Sequence, residues 1–363
     1  MSPVAKIWWR RWVPACVFLA CWFFGVWGRC AEVRLLTLTN FQEFTRTTTT
    51  PPAESVVLTS PVLDPGFPWK ELIVSWNAST NVALSVEARP VPPFDSPFYS
   101  LGRWAAKPSP ESPRESINGQ RDARAEVKTD VLVLNQPARQ AQVRLEMRGP
   151  EAGLKRVSLA FSGTEPGPTN EPLRNAWGRE LAVPVRTQAE FPEGVDKWCS
   201  PTSTAMLLAY WGEKQGRPDW IVSVPDIAAA VFDPGWGGTG NWPFNMAFAG
   251  SLPGLNAAVA RFGSFTDLER WVASGLPAAA SVSYALLKGA NKPTPNDGHI
   301  VVVRGFTVEG DVIVNDPGVR RERVRRIFPR ADFEHAWASS RRTVYCVWPS
   351  GHALPDGDAF PRD

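Results

Sequence analysis

"DKWCSPTSTAMLLAYWG", residues 196–212, decides how the chain is read. Pro201 suits the first turn of a helix, Ala205, Met206, Leu208 and Ala209 supply an apolar face, and Gly212 suits a C-terminal cap. Cys199 therefore stands at or just before a helix N-terminus. Free backbone N–H groups and the positive end of the helix dipole favour thiolate over thiol there. A thiolate is a nucleophile. It needs a base or ion-pair partner, usually His, and that His needs an orienting group.

The chain has only three histidines. His335 sits mid-helix in "FEHAW" and His352 in the polar stretch "SGHALPDGD", whereas His299 opens an apolar strand in "NDGHIVVVRGF". The next strand ends in "VIVNDP", which contains Asp316. A two-residue turn at Glu309-Gly310 would pair Val303 with Asp316, leaving His299 and Asp316 on one face but four residues apart in register. Contact then requires strand twist, a bulge or a longer turn. Gln188, in "VPVRTQAEF", lies upstream of the cysteine, where its amide could join the Cys199 N–H in holding an oxyanion.

"VPVRTQ", "WCSPTSTAMLLAYWG", "GHIVVVRGF" and "VIVNDP", in this order, resemble the C39-like branch of the papain-like cysteine peptidases. The resemblance covers roughly 184–348 and extends more loosely to the region before it. It implies Cys199 as nucleophile, His299 as general base and acid, Asp316 as the orienter of His299 and Gln188 as oxyanion donor. "GTGNWPFN", 238–245, resembles a recurrent segment of secreted bacterial C39-like proteins. Trp198 and Ser200 beside the nucleophile, with Asn241 and Trp242 in that segment, are the expected substrate-binding residues. Ser200 departs from the Gly that much of the wider family has after the nucleophile. No transporter or ATPase motif accompanies the domain, so cleavage of exported leader peptides does not carry over.

Around this core the chain divides by texture. Lys6, Arg10 and Arg11 precede an apolar run, 12–27, that is short for a membrane span, so 1–30 reads as a signal peptide and the mature chain as secreted or extracytoplasmic. Membrane contact is expected only through an uncleaved signal. Residues 31–163 hold eight β-type runs separated by Pro-, Asn- and Gly-rich turns, which predicts an all-β sandwich-like accessory domain. "TRTTTTPPAE", 45–54, reads as a polar loop. A Pro/Gly-rich linker, 164–180, leads to an α+β domain of papain-like type, 181–349, and a polar C-terminal tail follows, 350–363. Within the α+β domain, helices are expected over 224–233, 265–275 (with a Thr266–Glu269 capping box) and 330–339, and strands over 276–284, 299–308, 311–317 and 342–349.

A net charge of +3 gives no footprint for nucleic acid. No His/Cys/Asp spacing suits zinc, "GWGGTG" (235–240) lacks the Lys of a phosphate loop, and no cofactor is expected. Cys16, Cys21 and Cys30 fall in the targeting segment, leaving Cys199 and Cys346. A Cys199–Cys346 bridge or an inert buried thiol is the competing reading of the nucleophile. Asp316 could equally be a turn former before Pro317, and Gln188 a surface residue. The leading function is a thiol hydrolase of peptide bonds. The alternatives are a catalytically silent module whose β-sandwich binds a glycan or protein, and a cell-wall amidase of related chemistry. Expected partners are a peptide or protein substrate and a glycan or cell-wall contact through the β domain.

Overall fold

The computed structural model of the chain describes residues 32–49, 55–164 and 171–362. The targeting segment, with Cys16, Cys21 and Cys30, lies outside them, as do 50–54 and the linker's 165–170.

The N-terminal half is built from β1 (Val33–Leu38), β2 (Thr45–Thr48), β3 (Val56–Thr59), β4 (Trp69–Ala78), β5 (Ala83–Val91), β6 (Tyr99–Trp104), β7 (Ala125–Lys128), β8 (Val131–Ala138), β9 (Gln140–Arg148) and β10 (Leu154–Ser162). They form two five-stranded antiparallel sheets, ordered β1-β10-β4-β8-β7 and β2-β3-β9-β5-β6. Apolar–polar alternation explains β5 and β9: Leu84, Val86 and Ala88 are buried in one, and Ala141, Val143, Leu145 and Met147 in the other, with less buried residues between them. Two expectations change. "VKTDVLVL" is not one strand but the β7–β8 hairpin, turned at Thr129, whose φ is +58°. The first part of "TRTTTTPPAE" is β2, paired with β3.

The C-terminal half runs β11 (Arg179–Glu180), α1 (Cys199–Gln215), α2 (Val224–Val231), α3 (Trp242–Ser251), β12 (Leu255–Arg261), α4 (Phe265–Ala273), β13 (Ala278–Ser283), α5 (Tyr284–Leu287), β14 (Gly298–Phe306), β15 (Val312–Asn315), β16 (Arg325–Phe328), α6 (Arg330–Ala338) and β17 (Thr343–Pro349). Its antiparallel sheet has the order β12-β17-β13-β14-β15-β16, with β11 on β14. Helix α1 is buried from Ser200 to Gly212, as a central helix must be. It does not stop at Gly212. That glycine lets Ile221 approach, since an added Cβ would lie 2.6 Å from Ile221 Cγ1, and the helix ends instead at Gly216 in the left-handed region (φ +63°). The capping box of α4 is Ser264 with Asp267, not Thr266 with Glu269. Helix α3 and strand β12 are additions. "LNAAVAR" lacks a period-two pattern because β12 is covered on both faces.

The two halves share one apolar core. β4 shows why. From Leu72 to Ala78 every residue is buried, because one face looks into its own sheet's core and the other meets the C-terminal half. Asn77 on that strand brackets β12 with two hydrogen bonds, donating to Ala257 O (2.8 Å) and accepting from Ala257 N (3.0 Å), and Ser75 Oγ accepts from Val259 N (3.0 Å). Phe244 of α3 packs against Trp76 and Trp104. Arg261 is buried and paired with Glu71 at 2.7 Å.

The linker and tail are also tied down. Leu173 N and Trp177 Nε1 donate to the buried Glu269 at 2.8 and 2.7 Å, and Arg179–Glu180 add a short strand to β14. Phe360 is buried against Phe262 and Trp271, and Leu35 N donates to Asp358 O. The C-terminal segment is therefore a strap across both halves rather than a loose tail.

Candidate active site

Cys199 is the first residue of α1. The preceding residue, Trp198, makes no side-chain cap, so the first-turn N–H groups are left for another acceptor. That acceptor is the Cys199 sulfur, which takes hydrogen bonds from Ser200 N–H and from Ile300 N–H of β14. Ser203, one turn along, donates to Ile300 O at 3.1 Å and latches the helix to the same strand residue.

His299 precedes Ile300. Its Nε2 meets Asp316 Oδ1 at 2.7 Å, and the ring also hydrogen-bonds Cys199. Asp316 has no exposed surface. Its Oδ1 also accepts from Gly318 N (2.9 Å), and its Oδ2 accepts from Arg326 Nη1 (2.8 Å) and Tyr284 Oη (3.3 Å). The contact that a two-residue turn would forbid is made because the hairpin is not of that kind. Its loop is longer, with Thr307 N bonded to Asp311 O, and β14 bulges between Val303 and Gly305. Val303 therefore pairs with Val314, and Asp316 advances two residues towards His299.

The charges follow from this geometry. Burial pushes the Cys199 thiol up, but the bond to His299, its positive charge and the two N–H donors outweigh it and hold the thiol below its ordinary value. For His299, burial favours the neutral ring, and the bonds to Asp316 and Cys199 overcome this and raise it to about 9. Burial would raise Asp316, yet the His299 bond and charge, the Gly318 N–H and Arg326 bring it to about 2. These shifts favour a thiolate–imidazolium pair backed by a carboxylate. Cys346, by contrast, is a free, fully buried thiol that burial alone pushes well up. Cys199 is also free, so the two are not bridged.

Gln188 lies in a short 3-10 turn, buried, with its N–H on Pro317 O (3.0 Å), next to Asp316. Its Nε2 donates to Val195 O at 2.6 Å, and its buried Oε1 has no partner among the described residues. Trp198 is half-buried against Phe191, and an added Cβ at Gly194 would lie 2.2 Å from its indole. Trp242 is half-buried and donates its backbone N–H to Asp130 of the N-terminal half. Two expected cleft residues lie elsewhere. Ser200 has no exposed surface and bonds Tyr345 Oη in the core at 2.7 Å. Asn241 is buried, caps α3 through Phe244 N, and bonds Ser116 and Asp233 between the halves. Sequence reasoning overlooked Tyr284, Gly318 and Arg326. Tyr284 stood in what read as a strand end, and Arg326 in a basic run without periodicity. Among the described residues no group of three or more His, Cys, Asp or Glu is placed to hold a metal ion, and no helix is long and apolar enough to cross a membrane.

Residues 180–345 match the Peptidase_C39 like family, and residues 25–162 match the Peptidase C39 N-terminal domain. The chain belongs to the C39-like peptidase family. The C39-like domain contains all four residues of the candidate site, and the N-terminal domain supplies the sheets that pack behind it. A crystal structure of a Bacillus anthracis protein given as a C39-like peptidase resembles the C39-like chain at 20% identity and a TM-score of 0.36, covering 46% of this chain and 95% of that one. No curated protein matches the chain.

Proposed function

We propose that the chain is a secreted cysteine peptidase, exported by residues 1–30. In this reading the paired N-terminal sheets form a sandwich, and helix α1 against its sheet is a papain-like catalytic core. The observation that carries the proposal is the unbroken line from Cys199 through His299 to Asp316, with Nε2–Oδ1 at 2.7 Å.

The Cys199 sulfur attacks the scissile carbonyl carbon, and the carbonyl electrons move to oxygen. The Gln188 amide N–H not used by Val195 and the Cys199 backbone N–H hold that oxyanion. His299 passes its proton to the departing amine as the C–N bond breaks, leaving a thioester on Cys199. Water then gives one proton to His299 as it attacks the thioester, the C–S bond breaks to restore the thiolate, and the carboxylic acid product loses its proton to solvent. Asp316 stays ionised throughout and keeps the ring turned towards sulfur.

Mature protein incubated with a mixed-sequence peptide library, read by mass spectrometry, tests this. Cleavage products are expected with the wild type and are expected to vanish in Cys199→Ala at unchanged circular dichroism. Turnover by Cys199→Ala, or none by the wild type on peptides or peptidoglycan fragments, would overturn it.

A further inference from the structure

The two oxygens of Asp316 do different work. Oδ1 serves the catalytic ring and Gly318, whereas Oδ2 is held by Arg326 and Tyr284. Arg326 reaches Oδ2 from β16, the outer strand of the sheet, where it pairs with Val314, and its guanidinium lies over Phe328, 4.6 Å from the ring centroid. Tyr284 comes from α5. Its ring centroid is 4.4 Å from that of His299, and its hydroxyl shares Asp316 Oδ2 with Arg326. The titratable and charged groups at this site thus come from five segments: Cys199 on α1, Tyr284 on α5 with Lys288 Nζ 4.1 Å over its ring, Arg326 on β16, and the pair itself on β14 and after β15.

We propose that Arg326 and Tyr284 are positioning residues for the hydrolysis, and that Arg326 makes His299 a better proton donor. This rests on the thiol-hydrolase reading above. A carboxylate bonded to a guanidinium through one oxygen is a weaker acceptor through the other, and the nearby cation disfavours a second positive charge on the ring. Without Arg326, the full charge of Asp316 would hold the imidazolium proton. An amine leaving group needs that proton, whereas a nitrophenolate leaves without it. Tyr284 limits rotation of the carboxylate and covers one face of the ring, so the same oxygen stays on Nε2.

The test has two readouts on the full chain. The first is NMR titration of the three histidines in the wild type, Arg326→Gln, Arg326→Lys and Tyr284→Phe, with His299 assigned by His299→Ala. Arg326→Gln is expected to raise the His299 midpoint by about half a pH unit or more, as loss of a neighbouring charge does. Arg326→Lys, which keeps the charge, should stay near the wild type. The second readout is turnover of an anilide and a nitrophenyl ester of one acyl group. Arg326→Gln is expected to slow the anilide about tenfold more than the ester. Tyr284→Phe should lower kcat without moving the midpoint upwards by as much. An unchanged His299 midpoint in Arg326→Gln overturns the proposal, as does an equal shift in Arg326→Lys. Because the side chain is 31% exposed on an edge strand, neither variant empties the core. The NMR readout needs no substrate, so a chain that cleaves nothing fails the functional reading while the Arg326 proposal is still decided.

Discussion

Cys199 and Cys346 are the same side chain in two settings, and the contrast isolates what activates a thiol. Burial acts on both, but only Cys199 has a cation and N–H donors to oppose it. The imidazolium is retained up to about 9, so a pH–rate profile is expected to keep its plateau through neutrality and fall on the alkaline side near that value. The same shifts give a stability prediction. His299 is raised above its ordinary 6.5, so its contribution is complete below that pH and is lost as pH rises through about 9. Asp316 is depressed from 3.8, so its contribution is present above that pH and is lost as pH falls through about 2. The depressed Cys199 thiol contributes with the opposite sign over the same range, so urea midpoints of Cys199→Ala measured between pH 6 and 10 should decline at the alkaline end, and adding His299→Ala should flatten that limb. Gly318 gives a sharper steric test. A Cβ there would lie 3.0 Å from His299 Cε1 and 3.3 Å from Asp316 Oδ1. Gly318→Ala is expected to cut kcat about tenfold or more through misplacement of the ring, with the fold unchanged by circular dichroism; wild-type kcat in that variant would contradict the geometry.

Helix α1 and the β14–β15 hairpin carry the site, and they differ in how far the sequence revealed them. The start of α1 was legible because Cys-Ser-Pro before an apolar run has a local cause. Its end was not, since Gly212 is there for Ile221 and only the tertiary neighbour explains it. His299 and Asp316 were recognisable as residue types at strand ends, but their contact was not derivable. It depends on a bulge fixed by Arg304, which reaches Leu181 O, Val183 O and Asn315 Oδ1, and by the loop from Thr307 to Asp311. Side chains from distant segments set the register, and periodicity does not report them. Ser200 shows the same limit. Beside Cys199 in sequence, it turns inward onto Tyr345. Tyr345→Phe would strand that buried hydroxyl and is expected to cost about 1–2 kcal/mol, read as a lower urea midpoint. Alkylation of Cys199 should be nearly unaffected, because its sulfur uses the Ser200 backbone rather than its side chain.

At the scale of the molecule, the two textures of the sequence correspond to two domains, but their interlock was hidden. Ser75 and Asn77 look like ordinary outward positions of a half-exposed strand, yet both bond β12. An added Cβ at Gly250 would lie 2.1 Å from Asn77 Nδ2, so α3 can approach only as glycine there. Asn77→Ala would leave Ala257 N–H and C=O unpaired inside the interface, and is expected to cost on the order of 2–4 kcal/mol. Unfolding by urea should remain a single transition followed by fluorescence and by circular dichroism, since the core is continuous. The N-terminal domain also reaches towards Cys199. Ser116 bonds Asp233 and Asn241, and the loop they anchor places Thr239 Oγ1 on Lys197 O at 2.9 Å, two residues before Cys199. Residues 171–362 expressed alone would expose Phe244 and the edge of β12 that Ser75 and Asn77 bond, and are expected to aggregate rather than yield a working half.

The most direct test is the rate of Cys199 alkylation by iodoacetamide in mature, unreduced protein, followed by mass spectrometry from pH 5 to 10 beside His299→Ala. A His-activated thiolate predicts fast labelling that persists well below an ordinary thiol's value near 8.5 and collapses in the variant. Labelling that rises only near that value in both proteins, or that appears only after reduction, would contradict the account.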